Sequence, residues 1–196
     1  MHRSDVDVLV FGSPRLGRWD ARAFHDMTRT PRDHADVYER DVASEPALGS
    51  GGAPGPAHRR VADAILQYSI FPPWLVRGVV RRRIEVGDTV GVHYVAMRVA
   101  RLFFAARVID VFDAADAGGQ WWRTGFTYRT LVGHPELGEE TFAVETELAT
   151  GRVRVALRSW SRPGTWPARV FRPAVRALQV HASRAALAHL AAHATG

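Results

Sequence analysis

The chain reads as an α+β protein in which a curved antiparallel β-sheet grips a long C-terminal α-helix and leaves an internal cavity between them. Two observations predict this. Strand-like segments follow one another between residues 65 and 160, and the hydrophobic spacing then switches to a helical period from about Pro167 to Ala192. A third observation is local: the segments on either side of Thr150-Gly151 alternate strictly between apolar and polar positions.

Each element has its own signal. ILQYSIF (65–71) sets Ile65, Gln67 and Ser69 against Leu66, Tyr68 and Ile70 and stops at Pro72-Pro73, which predicts a strand. Residues 88–95 predict a second strand after a Gly87-Asp88 turn. LFFAARVIDVF (102–112) predicts a third, being rich in β-branched and aromatic residues. Residues 121–130 and 139–148 follow, and residues 152–160 complete the series. FAVETEL and RVRVALRSW form the two arms of an antiparallel hairpin with one buried face. In the terminal segment Val170, Phe171, Ala174, Val175, Leu178, Ala182, Leu187 and Leu190 recur at three- and four-residue steps. Pro167 suits a first helical turn, whereas Pro173 must kink the helix or force a second start.

The first sixty residues differ from the rest. Residues 5–11 alternate like an edge strand, residues 19–40 are polar with scattered aromatics, and 47–60 form a Gly/Pro-rich loop. Residues 1–60 therefore read as an N-terminal extension packed on a body formed by residues 61–196.

Composition narrows the function. With 196 residues and 46% hydrophobic content, the chain can bury one substantial core. No cysteine is present, which excludes disulfides, thiolate catalysis and cysteine-ligated metal centres. The formal charge of +6 comes entirely from arginine, and only Arg81, Arg82 and Arg83, with Arg77 nearby, are clustered. Nucleic-acid binders concentrate their charge, so no nucleic-acid partner is expected. No secretory leader or membrane-spanning run is legible, and a cytoplasmic protein, with a homodimer as one oligomeric option, is the expectation.

The richest stretch is GFTYRTLVGHPELGEE (125–140). His134, before Pro135 in a glycine-flanked turn, either moves a proton near neutral pH or caps the loop. Glu139 and Glu140 are adjacent on a strand, so one faces inward and the other outward. An inward glutamate among aromatics has a raised pKa and can exchange a proton, and the alternative is an ion pair with Arg129 or Arg162. Tyr128 and Thr130 share a face with Phe126, as an aromatic wall with hydroxyls or as ordinary core. Arg162 either clamps an anionic group or pairs with the glutamates. His93 and Trp160 lie on neighbouring strands, and Gln179 on the terminal helix can offer a donor and an acceptor. Catalytic candidates are thus His134, Glu139, Tyr128 and Arg162, and ligand-binding candidates are Phe126, Thr130, His93, Trp160 and Gln179. No metal site and no cofactor is expected, and neither a nucleophile elbow nor a phosphate or dinucleotide loop occurs.

The strings TGFTYRTLVGHPELGEETF, SWSRP and FRPAVRALQVHASR, with IFPPW and IEVGDTV before them, resemble the domain of unknown function 1990 family, also called UPF0548. The resemblance spans roughly Val61 to Ala192. It implies a fold similar to the helix-grip proteins of the START and Bet v 1 type, and it imports no activity. Two functions are compatible with these readings. One is binding of a hydrophobic, lipid- or polyketide-like small molecule. The other is a cofactor-independent cyclase, dehydratase or isomerase of natural-product biosynthesis, in which His134 or Glu139 moves a proton and Tyr128 or Arg162 stabilises an oxyanion.

Overall fold

A computed structural model describes residues 14–26, 28–31, 33–48, 52–94, 102–164 and 172–195. The elements are α1 (Pro14–Asp20), β1 (His34–Ser44), α2 (Pro56–Leu66), β2 (Val76–Val79), β3 (Thr89–Tyr94), β4 (Leu102–Ala115), β5 (Trp121–Thr130), β6 (Glu136–Glu147), β7 (Arg152–Pro163) and α3 (Arg172–Thr195). The strands form one antiparallel seven-stranded sheet in the order β1-β7-β6-β5-β4-β3-β2. Helix α3 packs against α2, β1 and β7, so the expected α+β grip of a sheet on the last helix is the observed architecture.

The β6–β7 hairpin holds the register that the alternation predicts, with Phe142 opposite Leu157 and Val144 opposite Val155. Gly151 turns the chain at φ 74°, a left-handed backbone in which a Cβ would also meet the Glu45 carbonyl oxygen. The inward residues of β5 to β7, among them Phe126, Phe142, Val144, Val155 and Leu157, are fully buried or nearly so. Against them α3 presents Ala182, Ala186, Leu190 and Ala194 at four-residue steps, with Leu187 beside them. The small alanines let helix and sheet approach closely. Pro173 falls in the first turn of α3, where a missing N–H costs nothing, so it marks a start and not a kink.

The largest correction concerns residues 65–71. Val61 and Ile65 belong to α2, whose buried face also includes Ala57, His58, Ala62, Ala64 and Leu66. The helix ends in a Schellman motif: Tyr68 N–H donates to the Ile65 carbonyl and Ser69 N–H to that of Ala64. Glycine usually takes the left-handed position of this motif. Here Tyr68 occupies it at φ 58°, the one non-glycine with positive φ among the described residues. A short apolar run reads equally as strand or buried helix, and without the terminating glycine the alternation misled. Gly78 on β2 supplies the space for the displaced ring, since a Cβ there would lie 2.1 Å from Tyr68 Cδ1.

The N-terminal region also differs from its expectation. Strand β1, which begins in the polar stretch, hydrogen-bonds along β7 as an edge of the main sheet, and α2 runs through residues 60 and 61 where the body was expected to begin. On the outer face of the sheet, Leu16 and Trp19 of α1 bury against Val79, Ala105 and Leu131, and Phe24 bridges to Leu131. The strand expected at residues 5–11 lies outside the described residues. No helix among the described residues is long and apolar enough to cross a membrane.

Candidate functional site

The sheet and α3 enclose a cavity of about 190 Å³. Its apolar wall comes from Phe71, Val92, Tyr94, Phe104, Leu178 and Ala182. The polar side is made where β5, β6, β7 and β1 run together beneath the start of α3. Tyr128 faces Glu140 across β5 and β6, Ser159 of β7 lies opposite Glu140, and Asp36 of β1 lies opposite Ser159. One row of inward positions across four strands thus delivers Tyr128, Glu140, Ser159 and Asp36 to that wall.

Register decides which glutamate enters. Glu140 shares the inward face with Tyr128, whose hydroxyl donates to Glu140 Oε2 at 2.6 Å. Glu139 points to the outer face. There its carboxylate accepts from Arg129 Nε at 2.7 Å and from Trp160 Nε1 at 3.1 Å. Glu139 still borders the cavity, but its carboxylate is committed to Arg129 and Trp160, so the glutamate whose carboxyl enters is Glu140, for the period-two reason that allows only one of them inside.

Burial pushes the Glu140 carboxyl up from 4.5 to about 7; the Tyr128 hydrogen bond opposes this, and the Asp36 charge adds to it. Asp36 behaves differently. Burial raises it too, but two hydrogen bonds and the charge of Arg176, with His34 at 3.3 Å, outweigh that and leave it below the usual carboxylate range. The Tyr128 hydroxyl is pushed far up by burial and by the Glu140 charge, so it stays a donor. Behind the pair, the Tyr68 hydroxyl is buried beside that of Tyr128; burial, followed by the Glu140 charge, raises it as well, against the opposing Tyr128 contact. The left-handed backbone of Tyr68 costs on the order of 1 kcal/mol, and it is what brings this ring beside Phe126, Phe142 and the polar pair.

The other candidates separate cleanly. His134 lines the cavity, with its ring edge-on to Phe104 at 4.4 Å between centroids and Nδ1 2.8 Å from the Glu136 carbonyl oxygen. Burial lowers its pKa to about 3, against the opposing Glu136 contact, so it is neutral at physiological pH and a poor base. Thr130 and Gln179 line the cavity, and Thr130 Oγ1 accepts from the Gly138 N–H at 3.1 Å. Trp160 also borders the cavity, between Ser159 and Ser161, and commits its indole N–H to Glu139. Phe126 is core, tilted against Phe142 with 5.4 Å between ring centroids, and outside the cavity wall. Arg162 is also outside that wall, bound to Asp33 Oδ1 at 3.2 Å. His93 alternates with the wall residues Val92 and Tyr94, so Tyr94 takes the inward place expected for it. Asp36, Arg176 and Phe71 were not foreseen, because no local pattern links them to the glutamates.

Sheet, gripped helix and cavity together define a helix-grip protein. The chain belongs to the family described as Domain of unknown function (DUF1990), whose model matches residues 24–189 and so reaches well before the Val61 at which the sequence resemblance began. No curated protein matches it. Among solved structures it is similar to ginseng major latex-like protein 151 from Panax ginseng at 8% identity and a TM-score of 0.49, covering 84% of this chain and 99% of that one. It is also similar to the protein CV1439 from Chromobacterium violaceum, at 17% identity and a TM-score of 0.45 over 81% of this chain and 94% of that one. A norcoclaurine synthase point mutant from Thalictrum, in complex with a transition-state analogue, aligns at 12% identity and a TM-score of 0.41 over 82% of this chain and 99% of that one. At these values the likenesses carry no argument about activity.

Proposed function

We propose that the chain binds a hydrophobic small molecule, lipid- or polyketide-like in character, in the cavity between the sheet and α3. The observation that carries this reading is the cavity itself: aromatic and aliphatic walls on which the Tyr128–Glu140 pair and the Asp36–Arg176 ion pair converge. At about 190 Å³ it is smaller than the roughly 300–1,000 Å³ of drug-sized sites, so the guest is small or inserts only one end. Native mass spectrometry of freshly purified protein tests the reading. A co-purifying small molecule, lost when Ala182→Phe fills the wall beneath α3, is the expected result, whereas an Ala182→Phe variant that retains the same guest overturns it.

A specific observation also favours the enzymatic alternative, a cofactor-independent cyclase, dehydratase or isomerase. A carboxyl at about 7 held by a tyrosine that remains protonated is suited to exchanging protons near neutrality. In that case Glu140 moves the proton and Tyr128 donates to a developing oxyanion, while His134, neutral in its turn, shapes the wall. Incubating the co-purified molecule with fresh protein separates the two, since an enzyme returns a changed molecule and a carrier returns the same one.

A further inference from the structure

We propose that the guest carries a protonated amine, seated on Glu140 among the rings of Tyr94, Phe104 and Tyr128. This rests on the binding reading above and names the ligand class. Glu140 carries its carboxyl into the cavity with the Tyr128 hydroxyl as its hydrogen-bond partner and no salt bridge among the described residues, and a carboxylate has room to accept more. The guanidinium on the wall, that of Arg176, is already held by both oxygens of Asp36 and by Tyr38. An anionic guest would have to break that bidentate pair while facing Glu140, and buried like charges are costly. A cationic head instead supplies what the carboxylate lacks.

The walls agree with that sign. Phe71, Tyr94, Phe104 and Tyr128 surround the same space, and aromatic rings attract an ammonium group electrostatically as well as burying the carbon next to it. A charge-assisted hydrogen bond in such a site is stronger than the neutral bond an alcohol would make. His134, also on the wall, is neutral and does not repel a cation.

Isothermal titration calorimetry at pH 8 with benzylamine, benzyl alcohol and benzoate, on the wild type and on Glu140→Gln, tests the assignment. Benzylamine is expected to bind at least about tenfold more tightly than benzyl alcohol, equivalent to about 1.4 kcal/mol, with benzoate weakest. Glu140→Gln should remove the amine preference, so that benzylamine and benzyl alcohol bind the variant within about twofold of each other. Equal affinities for amine and alcohol, a preference for benzoate, or an amine preference that survives Glu140→Gln would each overturn the cation site while leaving the cavity reading intact. Absence of binding by all three overturns the cavity reading, and this inference with it.

Discussion

Replacing Glu140 by glutamine changes the pH dependence of stability in a way the structure specifies. Glutamine imitates the protonated carboxyl and cannot ionise. In the wild type the unfolded carboxyl ionises near 4.5 and the folded one near 7, so between these values the folded state holds the extra proton. Stability from this group is therefore fully present below pH 4.5 and is lost as pH rises to 7, with no further change above. At about 1.4 kcal/mol per pH unit the loss is about 3 kcal/mol, an upper figure because the side chain is partly open to the cavity. The assay is urea unfolding of both proteins at pH values from 4.5 to 8.5, followed as the difference between them. Taking the difference removes the buried histidines, which titrate in the same range with the opposite sign. The variant is expected to gain on the wild type by about 2–3 kcal/mol between pH 4.5 and 7 and to hold that gain to pH 8.5. A difference that stays flat across this range would refute the claim that Glu140 is a buried, uncompensated acid.

Three further outcomes are expected. His58 is clamped between Thr146 and Thr124, each at 2.8 Å; since Thr124 donates its proton to Asp113, His58 Nε2 must donate to Thr124 and the ring is neutral. Burial lowers its pKa to about 4, so the stability it contributes is lost as pH falls from 6.5 towards 4, by up to about 3 kcal/mol, and His58→Gln should flatten that acid limb in thermal melts. Tyr68→Phe removes a buried hydroxyl whose polar neighbour is the Tyr128 hydroxyl, already committed as a donor to Glu140, and should change unfolding free energy by no more than about 1 kcal/mol; a larger loss in urea titration would mean that the hydroxyl is held more strongly than this. Glu139→Gln should cost at most about 1 kcal/mol and leave benzyl alcohol affinity unaltered, because its carboxylate is held by Arg129 and Trp160; an affinity change would mean that this carboxylate reaches the guest.

The strands from β3 to β7 and the terminal helix were legible because their signals are local. A period of two along FAVETEL and RVRVALRSW, or three- to four-residue steps from Leu178 to Leu190, reports a buried face within one element. Strand β1 was not legible: its exposed edge pairs on one side and carries mixed polar residues, so alternation is faint. Helix α2 was mistaken for a strand at its end because Tyr68 stands where glycine normally announces a helix stop. For the site, adjacency at Glu139 and Glu140 promised one inward carboxylate, and only pairing with β5 and β7 chose which.

What the amino-acid order determined by itself was the set of elements with strong periodicity, the α+β class, and the stretch from Tyr128 to Glu140 as the place where chemistry gathers. What the tertiary structure decided was the inward choice of Glu140, its meeting with Asp36 and Arg176 from distant ends of the chain, and the exclusion of Arg162, Phe126 and His93 from the wall. The physical reason is that periodicity tells which residues share a face, whereas strand register and helix placement decide what that face meets. A one-residue slip would turn Glu140 out and Glu139 in, and no local pattern records the difference.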